Sequence, residues 1–172
     1  MRVLITGPES SGKSTLSRAL AWCLDGVWID EQARAYLHER GNHYGPDDLP
    51  RICARQLRAE AAAANLNPSL LVCDTGPEVL LIWSAVKYGR VDPFIERAFR
   101  ETHYDLVLLC APDVPWTYDP QREHPATEDR WAIFRRYQQL LPHAHIINGD
   151  DRVASALKHI FTFLRPPHSD QF

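Results

Sequence analysis

The sequence has few cysteines, no long apolar run and no excess of positive charge. Its four cysteines include no Cys-x-x-Cys pair, which argues against a zinc site or a disulfide framework and favours buried, reduced thiols. No apolar stretch approaches the roughly 20 residues of a membrane helix, and Lys13 interrupts the apolar run that a signal peptide would need. Nineteen basic residues against 22 acidic ones do not favour nucleic acid as a partner. These absences predict a soluble, cytoplasmic protein that binds neither nucleic acid nor membrane.

The chain is long enough to bury a hydrophobic core. Its 172 residues, 45% of them hydrophobic, predict a single domain over 1–165 followed by a flexible tail over 166–172. Short apolar segments alternate with helical patterns, which predicts an α/β fold of three layers: a mostly parallel five-stranded sheet with helices on both faces. The predicted strands are 2–6, 27–30, 69–74, 104–110 and 143–147, and the predicted helices are 13–24, 31–40, 47–64, 77–89, 92–102, 127–141 and 151–164.

One connection is too long and too rich in proline to be an ordinary loop. Residues 111–126 carry four of the 13 prolines and lie between a predicted strand and a predicted helix. Connections of this length often serve as active-site lids. We therefore predict a mobile lid over about 111–130.

The first predicted strand runs into a stretch with the Gly-x4-Gly-Lys-Ser spacing of a phosphate-binding loop, which predicts a P-loop NTPase. Its glycines let successive backbone N–H groups face a phosphate, and the following helix adds its positive end. Lys13, in a chain with three lysines, is expected to contact the β- and γ-phosphates of ATP, and Ser14 to bind Mg²⁺. The alternative is a glycine-rich turn that matches by chance. The predicted nucleotide contacts in this stretch are Gly7, Glu9, Ser10, Ser11, Gly12, Lys13, Ser14 and Thr15.

Carboxylates follow two other predicted strands. Asp74 ends the apolar stretch Ser69-Leu-Leu-Val-Cys-Asp74, as expected of a Mg²⁺ ligand beside a phosphate loop. The alternative is that Asp74 caps the helix that follows. Asp30 and Glu31 end the second predicted strand and either face the same crevice or are charges in the first turn of a helix.

Arginines in and after the predicted lid are candidates to stabilise a phosphoryl group in transfer. Such a group spreads negative charge over its oxygens, and a cation on a closing segment can neutralise it while water is excluded. Arg122 is the first candidate and Arg130, on the next predicted helix, is the second. The alternative for each is a solvated surface arginine.

Several stretches, in this order along residues 1–141, together carry a resemblance to one family. They are Gly7-Pro-Glu-Ser-Ser-Gly-Lys-Ser-Thr-Leu16, Asp30-Glu-Gln-Ala-Arg-Ala-Tyr36, Cys73-Asp-Thr75, Ile82-Trp-Ser84 with Lys87-Tyr-Gly89, Tyr104-Asp-Leu-Val-Leu-Leu109, Pro112-Asp-Val-Pro-Trp116 and Asp119-x-x-Arg122. The chain resembles the ribosylnicotinamide kinase domain of NadR-type NAD-salvage proteins. This resemblance implies a P-loop kinase fold, ATP and Mg²⁺ as cofactors, and phosphorylation of the ribose 5′-hydroxyl of nicotinamide riboside.

The sequence departs from that family at two points that bear on activity. Bifunctional members carry a nucleotidyltransferase domain with a His-x-Gly-His motif, which this sequence lacks, so adenylyl transfer is not expected of it. Where relatives often have Asp-Thr-Asp, this sequence has Asp74-Thr75-Gly76, so a carboxylate for the ribose hydroxyls is missing unless Glu78 replaces it. The second departure predicts an altered acceptor preference.

A nucleoside acceptor needs an aromatic surface, polar groups for the ribose and a carboxylate near the hydroxyl that is phosphorylated. We favour Asp74 for the metal and Glu31 for orienting or deprotonating the acceptor, and the reverse assignment stays open. Most of the aromatic side chains are expected to pack in the core. The residues predicted to bind the acceptor are Glu31, Arg34, Tyr36, Trp83, Tyr88 and Trp116.

Two classes of function fit these patterns. One is an ATP-dependent small-molecule kinase acting on a nucleoside or a nucleoside monophosphate, which needs a closed acceptor pocket and a lid. The other is a nucleotide-dependent switch or stand-alone ATPase that acts on a protein partner. The predicted lid and the Trp-Ser…Lys-Tyr-Gly helix favour the kinase, and the sequence indicates no oligomeric state.

Overall fold

The computed structural model describes residues 1–165, and the tail predicted over 166–172 lies outside the described residues. Within the described part, the strands are β1 (Arg2–Thr6), β2 (Val27–Ile29), β3 (Leu71–Asp74), β4 (Leu106–Cys110) and β5 (His145–Ile147). They form one sheet in the order β2-β3-β1-β4-β5, and each neighbouring pair is parallel.

Helices alternate with these strands along the chain. They are α1 (Lys13–Cys23), α2 (Gln32–Glu39), α3 (Asp48–Ala64), α4 (Pro77–Tyr88), α5 (Pro93–Glu101), α6 (Thr127–Leu140) and α7 (Arg152–Leu164). Local signals set several of the boundaries: the Asp92 side chain accepts the Phe94 amide at 2.8 Å to begin α5, and Gly89, with φ 66°, ends α4. Each predicted strand and helix is present, most of them shorter by one or two residues.

The two faces of the sheet are both covered, as the continuous apolar runs of the strands require. Val3 and Ile5 of β1 pack with Leu20 and Ile160, so α1 and α7 cover one face. Leu4, whose side chain points the other way, packs in a second cluster to which α3 contributes. Residues of α4 and α6 pack against β4 in a further cluster. The predicted three-layer α/β fold is confirmed.

The parallel arrangement brings the predicted functional residues to one edge of the sheet. In the pairing of β1 with β3, Ile5 lies beside Asp74, so the phosphate loop starts next to that carboxylate. Glu31 follows β2 and the predicted lid follows β4. Ligands of open parallel sheets bind at this carboxyl edge, where strand order reverses.

None of the helices between residues 1 and 165 has the length and apolar content that crossing a bilayer requires.

Candidate active site

A cavity of about 420 Å³ lies above the carboxyl edge of the sheet. The phosphate loop forms its floor at one end, α2 and α4 form its walls, and the segment after β4 covers it. Its lining residues outside the loop are Glu31, Ala33, Arg34, Leu37, Val79, Ile82, Trp83, Val86, Lys87, Gln121, Arg122, Glu123, His124, Ile133 and Tyr137.

Two glycines permit the path of the phosphate loop. Gly7 has φ 139°, and a Cβ at this position would lie 2.5 Å from the Cys110 carbonyl oxygen, so a larger residue would displace the loop from β4. Gly12 has φ 78° and begins α1 in a left-handed conformation. Both glycines that the motif requires therefore have a positive φ, a backbone conformation that favours glycine.

The loop presents donors to the cavity. Among residues 1–165, no acceptor satisfies the backbone amides of Ser11, Gly12 or Lys13. The Pro8 carbonyl accepts hydrogen bonds from the Ser11 hydroxyl at 2.7 Å and from the Lys13 ammonium at 2.8 Å. Free amides at a helix N-terminus beside a lysine suit a phosphate group.

Asp74 is fully buried, and neither of its carboxylate oxygens has a hydrogen-bond partner within the described residues. Burial raises the pKa of Asp74 to about 6; the neighbouring Glu31 and Asp30 act in the same direction, and Ser14 and Lys13 oppose it. It does not cap α4, whose first position is preceded by Gly76 without a side-chain cap. An unpaired buried carboxylate beside a hydroxyl and a phosphate loop fits a hard cation such as Mg²⁺.

Glu31 lines the cavity from the start of α2. One of its carboxylate oxygens accepts the Arg34 Nε at 3.2 Å, and Arg34 also pairs with Asp119 at 2.7 Å. On α4, Lys87 pairs with Glu123 at 2.5 Å. The cations on this side of the cavity are therefore already paired with acids.

Trp83, which the sequence predicts to bind the acceptor, lines the cavity. Its indole Nε1 donates to the Tyr44 hydroxyl at 3.2 Å, and the two rings meet edge to face with centroids 4.9 Å apart. Burial and the contact with Glu123 raise the pKa of Tyr44 to about 12, although Lys87 opposes this. The sequence did not indicate Tyr44, because the loop before α3 carries no pattern that places it beside α4.

Three aromatic residues predicted at the acceptor site do not line the cavity. The Tyr36 hydroxyl donates to Asp48 at 2.7 Å, and its ring packs on the core formed by α2, α3, α4 and α5. Tyr88 packs on the same core. Trp116 lies in the segment after β4, with its ring 6.1 Å from that of Tyr118.

The two candidate arginines occupy different places. Arg122 lines the cavity, and its Nη1 lies 3.5 Å from the Ser10 hydroxyl and also donates to the Thr117 carbonyl. Arg130, by contrast, is 3% exposed and lies outside the cavity, where its Nη1 donates to the carbonyl oxygens of Ser10 at 3.4 Å and Val114 at 3.2 Å. Arg130 therefore supports the loop from behind.

The segment 111–126 has neither helix nor strand and is closed over the cavity, whereas the last residues of the predicted lid, 127–130, belong to α6. The Glu9 carboxylate accepts the backbone amides of Glu123, at 2.9 Å, and His124. The Thr117 amide donates to the Ser10 hydroxyl at 3.1 Å. Two residues of the phosphate loop thus hold this lid directly.

Gly76 and Glu78 do not supply a carboxylate to the cavity. A Cβ at Gly76 would lie 2.4 Å from the Tyr104 hydroxyl and 2.7 Å from a Glu78 carboxylate oxygen. Glu78 is itself buried, accepting the Thr6 hydroxyl at 2.7 Å and the Gly76 amide at 3.0 Å, and burial raises its pKa to about 7. An acidic side chain at position 76 would therefore meet this cluster first, and Glu78 does not replace it at the acceptor.

Comparisons with known proteins agree with this geometry. A family model described as an AAA domain matches residues 2–147. The trifunctional NAD biosynthesis/regulator protein NadR of Salmonella typhimurium is 28% identical over an alignment of 151 residues that covers 84% of this chain. The chain spans 36% of the length of that relative.

Two solved structures share the fold. A NadR protein in complex with NR superimposes with a TM-score of 0.77 at 19% identity, covering 99% of this chain and 54% of that one. Deoxyadenosine kinase from M. mycoides with bound dATP superimposes with a TM-score of 0.61 at 14% identity, covering 94% of this chain and 99% of that one.

Proposed function

The chain belongs to the AAA domain family, and we propose that it is an ATP-dependent kinase that phosphorylates the ribose 5′-hydroxyl of nicotinamide riboside or a related nucleoside. One observation carries the proposal: a cavity joins the phosphate loop to a compartment with a carboxylate and an indole, under a closed lid that bears Arg122. A nucleotide-dependent switch needs no acceptor compartment. The cavity therefore favours a kinase.

The phosphate loop binds the ATP phosphates in this proposal. The free amides of Ser11 and Gly12 and the ammonium of Lys13 line the cavity and together neutralise the phosphate oxygens. Arg122 approaches from the lid, where a guanidinium can stabilise the charge that spreads over the transferring group. A closed lid also keeps water from taking the phosphoryl group.

Ser14 and Asp74 would hold Mg²⁺. The two unpaired oxygens of a buried carboxylate are the feature that fits the ion, because a buried charge without a partner is costly. Bound to the phosphates, Mg²⁺ supplies charge neutralisation and fixes their orientation. A proton competes with the metal for Asp74, since its pKa is raised to about 6.

Glu31 orients and deprotonates the acceptor hydroxyl. It lines the cavity, whereas Asp74 does not, and one of its carboxylate oxygens is held by Arg34, which fixes its direction. Trp83 offers the base of the acceptor a flat apolar face. This division of roles follows from which carboxylate reaches the cavity.

The charges around the acceptor compartment favour a nucleoside over a nucleoside monophosphate. Arg34 and Lys87 are paired with Asp119 and Glu123, so neither cation is free to bind an acceptor phosphate. Glu31, of which Arg34 binds one carboxylate oxygen, suits an acceptor that is neutral or positively charged, such as the pyridinium ring of nicotinamide riboside. The similarity to NadR, a NAD biosynthesis protein, supports the same acceptor.

The test is a product analysis of the purified chain. It is incubated with ATP, Mg²⁺ and, separately, nicotinamide riboside, the common nucleosides, their monophosphates or no acceptor, and the products are identified by mass spectrometry. We expect phosphorylated nicotinamide riboside, and a rate lowered about 100-fold or more in Glu31→Gln, the range expected when a general base is lost. Glu39→Gln, which changes an exposed glutamate on the same helix, is the matched control and should keep the wild-type rate.

Two results would contradict the proposal. Transfer to monophosphates but not to nucleosides would show that the acceptor class is wrong. ATP hydrolysis without transfer to any acceptor would favour the alternative, a switch or ATPase that acts on a protein partner.

A further inference from the structure

Arg152, the first residue of α7, lies directly behind the phosphate loop. It is buried, outside the cavity lining, and its guanidinium contacts three separate segments of the chain. Its nitrogens donate to the carbonyl oxygens of Ser11 at 2.7 Å, Ala111 at 3.1 Å and Gly149 at 3.1 Å. It also forms an ion pair with Asp113. One side chain thus joins the phosphate loop to the ends of β4 and β5.

The contact with Ser11 fixes a peptide group of the loop. In a trans peptide the C=O and the next N–H point in opposite directions. Since the Ser11 carbonyl is held by Arg152 on the side away from the cavity, the Gly12 N–H must point to the cavity side. The guanidinium lies 3.9 Å from where a Gly12 Cβ would be, so it supports this peptide at close range.

The position of this cation is otherwise unfavourable. A positive charge in the first turn of a helix opposes the helix dipole. Asp113 offsets that charge, and its second carboxylate oxygen accepts the Gly149 amide at 2.7 Å, which holds the pair in place. The arginine is therefore held in place, against the helix dipole, by its contacts with the phosphate loop and with the ends of β4 and β5.

We propose that Arg152 is a positioning residue for nucleotide binding: by holding the Ser11 carbonyl, it directs the Gly12 amide at the phosphates. The inference rests on the nucleotide site of the proposed function. It adds a residue that affects the affinity for nucleotide without contacting the nucleotide. It concerns affinity for the phosphates and leaves the acceptor compartment unaffected.

The test compares ADP binding in Arg152→Gln with a matched control, Arg2→Gln. Arg2 likewise pairs with a buried region, through Glu60, but at the opposite end of β1. Dissociation constants for ADP are measured by calorimetry without acceptor, and melting temperatures are measured alongside. We expect Arg152→Gln to weaken ADP binding about tenfold or more, since an orienting charge-assisted hydrogen bond is lost, and Arg2→Gln to change it less than about twofold.

A second variant and a kinetic measurement separate positioning from folding. Arg152→Lys keeps the charge but not the planar fork, so it should fold and still bind ADP about threefold or more weakly than wild type. In both Arg152 variants the KM for ATP should rise while the KM for the acceptor stays unchanged.

Three results would overturn the inference. The first is wild-type affinity for ADP in Arg152→Lys or in a folded Arg152→Gln protein. The second is an equal loss of affinity in Arg2→Gln. The third is a wild-type protein that does not bind ADP, in which case the proposed function fails first; a protein that binds ADP but phosphorylates no acceptor leaves this inference standing.

Discussion

Arg34 Nη1 and Asp119 Oδ2 form an ion pair 2.7 Å long that joins α2 to the lid. Arg34 lines the cavity, whereas Asp119 does not, so the pair connects the cavity wall to the segment that covers it. Burial alone would raise the pKa of Asp119, but Arg34 and the Gln121 amide hold it below its usual range. The closed segment thus depends in part on the charge of Asp119, a side chain that does not itself line the cavity.

Removing that charge should loosen the lid. In Asp119→Asn we expect the backbone amides of Glu123 and His124 to exchange with deuterium about two- to fivefold faster. The effect is modest because a partly exposed ion pair contributes little free energy. The rate of phosphoryl transfer should fall as well, because a looser lid covers the cavity less of the time. Asp47→Asn, at an exposed position outside the lid, is the control. Unchanged exchange at Glu123 and His124 would show that this pair does not hold the lid.

Lys13→Ala should abolish ATP turnover in a protein that still folds. The ammonium donates to the Pro8 carbonyl and lines the cavity, so its loss removes phosphate stabilisation while the core packing stays intact. A decrease of about 100-fold or more is expected for a missing electrostatic contact of this kind. Steady-state ATP consumption and a melting curve provide the measurement, with the exposed Lys158→Ala as control. Normal turnover in folded Lys13→Ala would contradict the phosphate-loop assignment.

Asp74→Asn should raise the Mg²⁺ concentration needed for half-maximal rate about tenfold or more, because a metal contact is lost. Cys73→Ser, a buried neighbour on β3 whose side chain points the other way, should leave it nearly unchanged. In the wild type the Mg²⁺ concentration for half-maximal rate should rise as the pH falls below about 6, because Asp74 then takes a proton. Asp74→Asn should lose this pH dependence. Mg²⁺ titrations of the reaction rate at two pH values measure it.

Glu78 should make the folded state less stable at high pH. Burial raises its pKa from 4.5 to about 7, so its stabilising contribution is complete below about 4.5 and is lost as the pH rises through about 7. The free energy of unfolding, measured in urea, should therefore fall less between pH 5 and pH 8 in Glu78→Gln than in wild type, by roughly 1–3 kcal/mol. The exposed Glu96→Gln serves as control. Parallel pH profiles for wild type and Glu78→Gln would be incompatible with a carboxylate buried in this way.

Gly76→Ala should destabilise the protein by about 1–3 kcal/mol, because an added methyl group has no space beside Tyr104 and Glu78. Gly76→Asp should cost more, since it adds a charge next to a buried carboxylate. Neither variant should change which acceptor is used. Melting curves and the acceptor panel check both statements, and a stable Gly76→Asp protein with a new acceptor preference would contradict them.

The fold could be predicted from the sequence because its signals are local. Apolar runs at Val3–Ile5 and Leu106–Cys110 are bounded by polar or turn residues, and helices begin beside Asp92 and Asp151. The phosphate loop can be predicted equally well, because it requires glycine at fixed positions in one continuous stretch. The end of β2 and the start of β5 differ from the prediction by one and two residues, because pairing with the neighbouring strand decides where each strand is assigned.

Two contacts of the candidate site, one at the cavity wall and one behind the phosphate loop, could not be predicted in the same way. Tyr44 meets Trp83, and Arg152 meets Ser11, only through the packing of distant elements. Tyr36 and Trp116 are residue types that are common in binding sites. Nothing in the sequence around them indicates which side chains reach the cavity. Contacts between remote segments therefore carry the part of the site that pattern alone misses.

The bond between Arg152 and Ser11 spans 141 positions of the chain. At a synthesis rate of about 5–20 residues per second, the loop leaves the peptidyl-transferase centre roughly 7–28 s before its anchor is made. During that interval the nascent chain carries a complete Gly-x4-Gly-Lys-Ser stretch whose amides are not yet directed. If Arg152 positions the loop as proposed, its full affinity for nucleotide is therefore expected only after residue 152 has been added to the chain.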